Sequence, residues 1–202
     1  MTSLPEPKIF FTSDQHHDHS NIIRYDNEAL AEKLGYAPRP YKTVEEMDEH
    51  MILLWNETVG FNDDVYQLGD FFMGKDWQHA EHTLLRLNGN IHHIRGNHNK
   101  IDDRIAHNFV WSKDYYELSV HDPDAHNGKQ IICLLHYAMK VWNHSHRGSW
   151  HLFGHSHGSL PDLSNSKSFD VGCMLFGNKP ISYEQVKSIM SKKTYIPVDH
   201  HK

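Results

Sequence analysis

Five short clusters of chemically able side chains punctuate this sequence, each just past an apolar run. They are Asp14 and His16; Asp70 after Gly69; Asn97 and His98 after Gly96; His136; and His155 with His157 in Gly-His-Ser-His. Every member is a type that ligates a divalent cation or moves a proton. Asp14 with His16 combines a hard carboxylate and a borderline imidazole, a mixture suited to Mn, Fe or Zn rather than Ca. Asn97 offers a neutral amide oxygen, which keeps the charge of a site low, and His98 beside it is free to donate a proton. The two imidazoles between Gly154 and Gly158 can serve two different ions, and the glycines permit close backbone approach.

Each cluster alone also has a plain structural reading: Gly69-Asp70 as a turn, His136 as a satisfied core histidine, Asn97 as a turn residue. Two histidines and a carboxylate would equally suit a mononuclear zinc hydrolase. Taken in order, two carboxylates, one amide and four imidazoles fill two coordination spheres with one ligand shared, and leave positions open for solvent. Arg95 is either a structural ion-pair partner or a phosphate clamp.

Such residues need rigid elements to gather them. The apolar runs at 9–12, 64–68 and 91–94 predict strands that end at Asp14, Asp70 and Asn97. A helix is expected over 43–59, with Thr43 and Glu46 as a capping box, and a second from the Asp76 cap to near Gly89. This alternation favours βαβ units and a largely parallel sheet. The stretches 115–120 and 130–135, joined through Asn127-Gly128, predict a hairpin that exits at His136. Short strands come next at 150–153 and 169–171, then a C-terminal helix capped by Ser182 and Gln185. The polar, irregular segment 15–40 is expected to be a long functional loop. Neither a repeat nor a linker marks a boundary, so residues 1–202 are taken as a single domain.

Composition sets the outer limits. With 38% hydrophobic and 23% charged residues in 202, the chain has the makings of a packed core. A net charge of -6 without any basic run disfavours an extended nucleic-acid surface, although two divalent ions beside two carboxylates would leave a pocket locally positive. Cys133 and Cys173, far apart in apolar stretches, suggest buried thiols in a reducing compartment. The first residues lack a signal-peptide core and no apolar stretch approaches a membrane span, so a cytoplasmic protein without membrane contact is expected. Oligomeric state leaves no mark in the sequence.

The ordered blocks Asp-x-His, Gly-Asp, Gly-Asn-His, a later His, and Gly-His-x-His resemble the calcineurin-like metallophosphoesterases, and here they run from residue 14 to residue 157. The resemblance implies an α/β sandwich of two packed mixed β-sheets flanked by helices. It implies one ion held by Asp14, His16, Asp70 and His157, and a second by Asp70, Asn97, His136 and His155. Mn is the first candidate, then Fe, Ni or Zn. His98 would be the general acid, with Asp70 and Asn97 as catalytic partners. Asn99 stands where the family often has Asp, which leaves Asp102 or Asp14 to set the acidity of His98.

The expected reaction is hydrolysis of a small phosphorylated substrate, mono- or diester, by in-line attack of metal-activated hydroxide. A nucleotide is the favoured substrate, since Arg24, Lys75, Trp142, His144, His146 and Arg147 lie in loops able to flank the site, and Arg24 and Arg95 are the candidate substrate contacts. The alternatives are a metal-dependent hydrolase of another bond and a non-catalytic binding module on the same fold.

Overall fold

In the computed structural model, which describes residues 6–98 and 100–199, the expected strand that ends at Asp14 is β1 (Ile9–Thr12), an interior strand of a five-stranded sheet. Helices α1 (Ser20–Leu34) and α2 (Val44–Thr58) come next, then β2 (Asp64–Gln67), α3 (Trp77–Leu85), β3 (Asn90–Ile94) and β4 (Trp111–Lys113). The second half holds β5 (Tyr115–His121), β6 (Lys129–Leu135), β7 (Trp150–Phe153), β8 (Ser168–Asp170), β9 (Ile181–Ser182) and α4 (Tyr183–Ser191).

The first sheet has the order β4-β3-β2-β1-β9, parallel throughout except for antiparallel β9. The second, β5-β6-β7-β8, combines the antiparallel β5/β6 hairpin with parallel β6, β7 and β8. Both sheets are therefore mixed, and the fold is an α/β sandwich.

Alternation along the strands explains the layers. In β1, Phe11 faces the second sheet in one core with Ile132, Leu134 and Leu152, while Phe10 faces α2 and α3 in another core with Trp55 and Leu84. A sheet covered on both faces demands apolar residues in continuous runs, which is how β1 to β3 appear in the sequence. Val186 and Met190 of α4 close the inter-sheet core. The caps act as expected: the Thr43 side chain accepts from the Glu46 amide, and Ser182 with Gln185 forms a reciprocal capping box. The Glu46 carboxylate, however, returns to the Lys42 amide.

The expected loop over 15–40 is largely α1. Its buried stripe is Ile22, Asp26 and Leu30, so a carboxylate sits where an apolar residue would have revealed the helix. Its N-terminal His19 makes no side-chain cap, and its stop is Gly35, left-handed at φ 75° with its N–H on Ala31 O. α3 ends at Leu85 rather than near Gly89, and β4 and β9, of three and two residues, are too short to show a period. No helix among the described residues is long and apolar enough to cross a membrane.

His151 of β7 is fully buried, with Nδ1 on Cys133 O at 3.0 Å and Nε2 accepting the Met139 N–H at 3.0 Å. Burial pushes its pKa down to about 4 from 6.5. The folded state thus binds fewer protons than the unfolded chain below pH 6.5. The resulting stability is fully present above 6.5 and falls away as pH drops towards 4, by about 3 kcal/mol. Urea unfolding of chelator-treated protein from pH 7.5 to 4 should show this loss, and His151→Gln, whose amide can serve both partners, should flatten it.

Candidate metal centre

The carboxyl ends of parallel strands from both sheets meet at one edge. The ladder between β1 and β2 continues past the strands, with Asp14 N on Gly69 O at 3.0 Å, His16 N on Asp70 O at 3.1 Å and His17 N on Phe71 O at 2.9 Å. A bridge between Ser13 and Gly172 ties this edge to the second sheet. There the backbone turns into left-handed conformations at non-glycine residues: φ is 57° at Asp14, 52° at His16, 56° at Asp70, 65° at His155 and 46° at His157. Such residues are uncommon and cluster where a site over-determines the backbone. They turn side chains that successive strand positions would have separated towards one point.

Around that point, His16 Nε2 is 3.1 Å from His157 Nε2, 3.9 Å from Asp14 Oδ1 and 3.8 Å from Asp70 Oδ2. His157 Nε2 is 3.6 Å from Asp14 Oδ1. On the other side, His136 Nε2 is 3.5 Å from Asp70 Oδ2 and 2.9 Å from Asn97 Oδ1, which is itself 2.7 Å from His155 Nδ1. Two sets, Asp14 with His16 and His157, and Asp14 with Asp70 and His136, each have ligand atoms within 4.8 Å of one another. Asp14 reaches both sets, and Asp70 stands between His16 and His136. Asp14, His16, Asp70 and His136 are buried, whereas Asn97, His98 and His155 are exposed at the mouth.

The proton inventory decides what this arrangement can hold. His136 Nδ1 lies 2.7 Å from Leu68 O and His157 Nδ1 lies 2.7 Å from Asp26 Oδ1, so each of these nitrogens carries the hydrogen. Neutral rings then turn bare Nε2 lone pairs inward, towards carboxylate and amide oxygens that are acceptors too. A cation would answer these lone pairs, and ring N–H groups anchored on a carbonyl and a carboxylate are the usual support of metal-ligating histidines. His16 Nδ1 is buried without a partner in the same cluster. The donor set fits divalent metal.

Electrostatics without such a charge is strained. Burial pushes the Asp14 carboxyl up to about 6 and drives His16 well below its ordinary range. Burial would also raise Asp70, but hydrogen bonding and charge from His136, with His16 and the His98 amide, outweigh it and hold Asp70 at about 2. His136 and His157 are desolvated as well, yet their carboxylate partners raise both.

The glycines in the motifs are there for contact. A Cβ on Gly96 would lie 2.0 Å from Asp70 Oδ1, one on Gly154 would lie 2.5 Å from Asp14 Oδ2, and one on Gly69 would lie 2.5 Å from His136 Nδ1.

Two residues that sequence reasoning missed anchor the centre. Arg39 is 0% exposed; its Nε donates to Asp26 Oδ2 at 2.5 Å, its Nη2 to Asp14 O at 2.7 Å and its Nη1 to Gln15 O at 3.1 Å. Asp26 uses its other oxygen on His157. Burial works against this carboxylate, but His157 and Arg39 together hold it below its usual range. A Gly-Tyr-Ala-Pro-Arg-Pro segment next to a helix with a buried acid was the only available hint.

Apart from Lys75, which lines a cleft with Asn97 and His98, the expected substrate residues are engaged elsewhere. Arg95 turns to Asp103 at 2.8 Å and Asp114 at 3.6 Å, the ion-pair alternative, and exposed Arg24 lies 3.9 Å from Glu28 over the Tyr25 ring. Asp102 is spent on the Phe71 and Phe72 amides, and Trp142 is buried with its indole N–H on Ser149 O. His144, His146 and Arg147 belong to the turn before β7. His98 stands beside the centre, its ring centroid 6.0 Å from that of His16. Asn99 lies outside the described residues.

Comparison with known proteins places the chain among relatives. The uncharacterized protein MJ1445 of Methanocaldococcus jannaschii is 30% identical over 191 residues, which is 92% of either chain. The chain belongs to the MJ1445 family. No protein-family model matches it. The crystal structure of AQ665 from Aquifex aeolicus, a protein of unknown function, superposes with a TM-score of 0.64 at 17% identity, over 91% of this chain and all of that one, and so shares the fold. YfcE, a phosphoesterase from E. coli, reaches only 0.39 at 18% identity, over 82% of this chain and 78% of its own, too slight to bear on the fold.

For this MJ1445-family member the buried Arg39–Asp26 pair yields a stability prediction. Arg39→Met strands the Asp26 carboxylate and should lower the unfolding free energy by about 3–5 kcal/mol. Asp26→Leu combined with Arg39→Met should cost less than the single change, as urea unfolding of the three proteins will show.

Proposed function

We propose that the chain is a dinuclear metal-dependent phosphoesterase acting on a small phosphorylated substrate. The observation that carries this reading is the convergence of the side chains of Asp14, His16, Asp70, Asn97, His136, His155 and His157 on one edge, with the ligand atoms of two triads within 4.8 Å of one another. Asp14, His16, Asp70 and His157 would hold one ion and Asp70, Asn97, His136 and His155 the other, with Mn the first choice and Fe, Ni or Zn next. The position of Asp70 between His16 and His136 supports its role as the shared ligand. When bound, the ions supply Lewis acidity that activates water and neutralises charge on the phosphoryl oxygens.

The chain's own residues do the rest. Arg39 and the Leu68 carbonyl, through Asp14, Asp26 and His136, keep the ligands oriented before any ion arrives. His98, exposed at the mouth with its amide on Asp70 Oδ1 at 2.9 Å, protonates the leaving oxygen. The fixed amide holds the residue at the rim while its ring remains outside the donor cluster. Free, buried Cys133 and Cys173 suit a reducing compartment such as the cytoplasm.

The test is metal analysis and then turnover of 4-nitrophenyl phosphate and bis(4-nitrophenyl) phosphate, with and without chelator. Turnover should track metal content and vanish on chelation. His98→Ala should lower kcat by about 10²–10⁴-fold with metal content unchanged; a parallel loss of metal would refute its assignment as the acid. Asp26→Asn should weaken metal binding by about 10–100-fold, measured by competition with a chelating dye.

A further inference from the structure

A cleft of about 420 Å³ opens beside the metal centre, between the loop after Asp70 and the loop that carries Asn97 and His98. Met73 and Ile101 line it with apolar surface over buried Phe72, and Lys75 and Lys100 contribute one ammonium group from each loop. Among the described residues neither lysine has an ion-pair or hydrogen-bond partner, whereas Arg39, Arg86, Arg95, Lys187 and Lys193 all pair with carboxylates. Among the described residues no carboxylate lines the cleft, in a chain of net charge -6. A local excess of unpaired cations in an acidic protein attracts anions.

The cleft is also pre-built. Fully buried Asp102, on the second loop, accepts the Phe71 and Phe72 amides of the first at 3.1 and 3.2 Å and so ties the two walls together. The Met73 amide donates to His17 O at 2.9 Å. Gly74 packs so closely that a Cβ there would lie 1.8 Å from Asp18 Oδ2. The chain leading to Lys75 is therefore fixed from two sides, and His98 stands in the wall, between the cleft and the metal ligands.

We propose that this cleft receives the leaving group, and that the substrate is a phosphoanhydride or phosphate ester whose leaving group carries a second phosphate, held by Lys75 and Lys100. The proposal rests on the phosphoesterase reading above. Water adds across the scissile P–O bond: its oxygen joins the transferred phosphoryl group, and the departing oxygen takes a proton from His98, which the water's proton replaces. The second phosphate leaves unchanged on the product.

The experiment compares ADP and inorganic pyrophosphate with 4-nitrophenyl phosphate, whose leaving group bears no anion, using metal-loaded protein, Lys75→Gln, Lys100→Gln and the double variant. Each single substitution should raise KM for ADP and pyrophosphate about 10-fold, the scale of one charge-assisted contact, and leave 4-nitrophenyl phosphate kinetics within about 2-fold. Calorimetric titration of pyrophosphate into the metal-loaded His98→Ala protein should weaken by a similar factor when the lysines are replaced. If 4-nitrophenyl phosphate is turned over but the anionic substrates are no better and the lysine variants are indistinguishable from the parent, the subsite is refuted and the phosphoesterase reading stands. If no phosphate compound is turned over at full metal content, that reading fails and the subsite with it.

Discussion

The candidate centre depends on one buried guanidinium. A charge with no exposed surface is tolerable only when every direction of its fork is answered, and Arg39 is answered by the Asp26 carboxylate and by the carbonyls of Asp14 and Gln15. These partners belong to a helix and to the turn after β1, so satisfying one side chain fixes the distance between them. Asp26 then spends its second oxygen on His157, which belongs to the other sheet's loops. A single planar cation thereby registers the Asp-x-His turn, α1 and the Gly-His-Ser-His turn against one another. The sulfurs of Met47, Met51 and Cys173 fill the remaining contacts with soft, polarizable surface.

Such anchoring is needed because the centre is held in costly conformations. Asp14, His16, Asp70, His155 and His157 occupy left-handed backbone, each at an expense of order 1–3 kcal/mol, and Asp14 and Asp70 are buried beside each other. Glycine would relieve the strain but offers no ligand. The fold instead puts ligands at the strained positions and glycine immediately beside them, at 69, 96 and 154, where a Cβ would collide with Asp70, Asp14 or His136. Strain in the ligand and emptiness in its neighbour are two sides of the same close approach.

This division explains which features the sequence disclosed. The strands other than β4 and β9, and the caps at Thr43, Asp76 and Ser182, were legible because apolar runs and capping residues are local signals. The five clusters were legible because each sits directly after an apolar run, at the end of a strand that a core-facing pattern reveals. α1 was not, since its buried stripe contains Asp26 and periodicity methods count an acid as solvent-facing. Arg39 was hidden for the same reason: a charge is buried only through partners that are remote in sequence, here 13, 24 and 25 positions away. Arg95 was legible as two alternatives, and only the placement of Asp103 and Asp114 separates them.

The two kinds of loop at this edge differ in the work asked of them. The turns at 14–16, 69–70 and 154–157 are welded by backbone ladders, the Arg39 fork and glycine contacts, and tolerate almost no change without moving a ligand. The loops that carry Lys75 and Lys100 rest on the same strands, but they are pinned from behind, by Asp102 and His17 O, and expose Lys75, Asn97, His98 and Lys100. A rigid edge bordered by loops with exposed side chains is the arrangement that lets an α/β fold keep one chemistry while substrate preference drifts. On the proposed phosphoesterase reading, selectivity should reside in those loops and reactivity in the welded turns behind them.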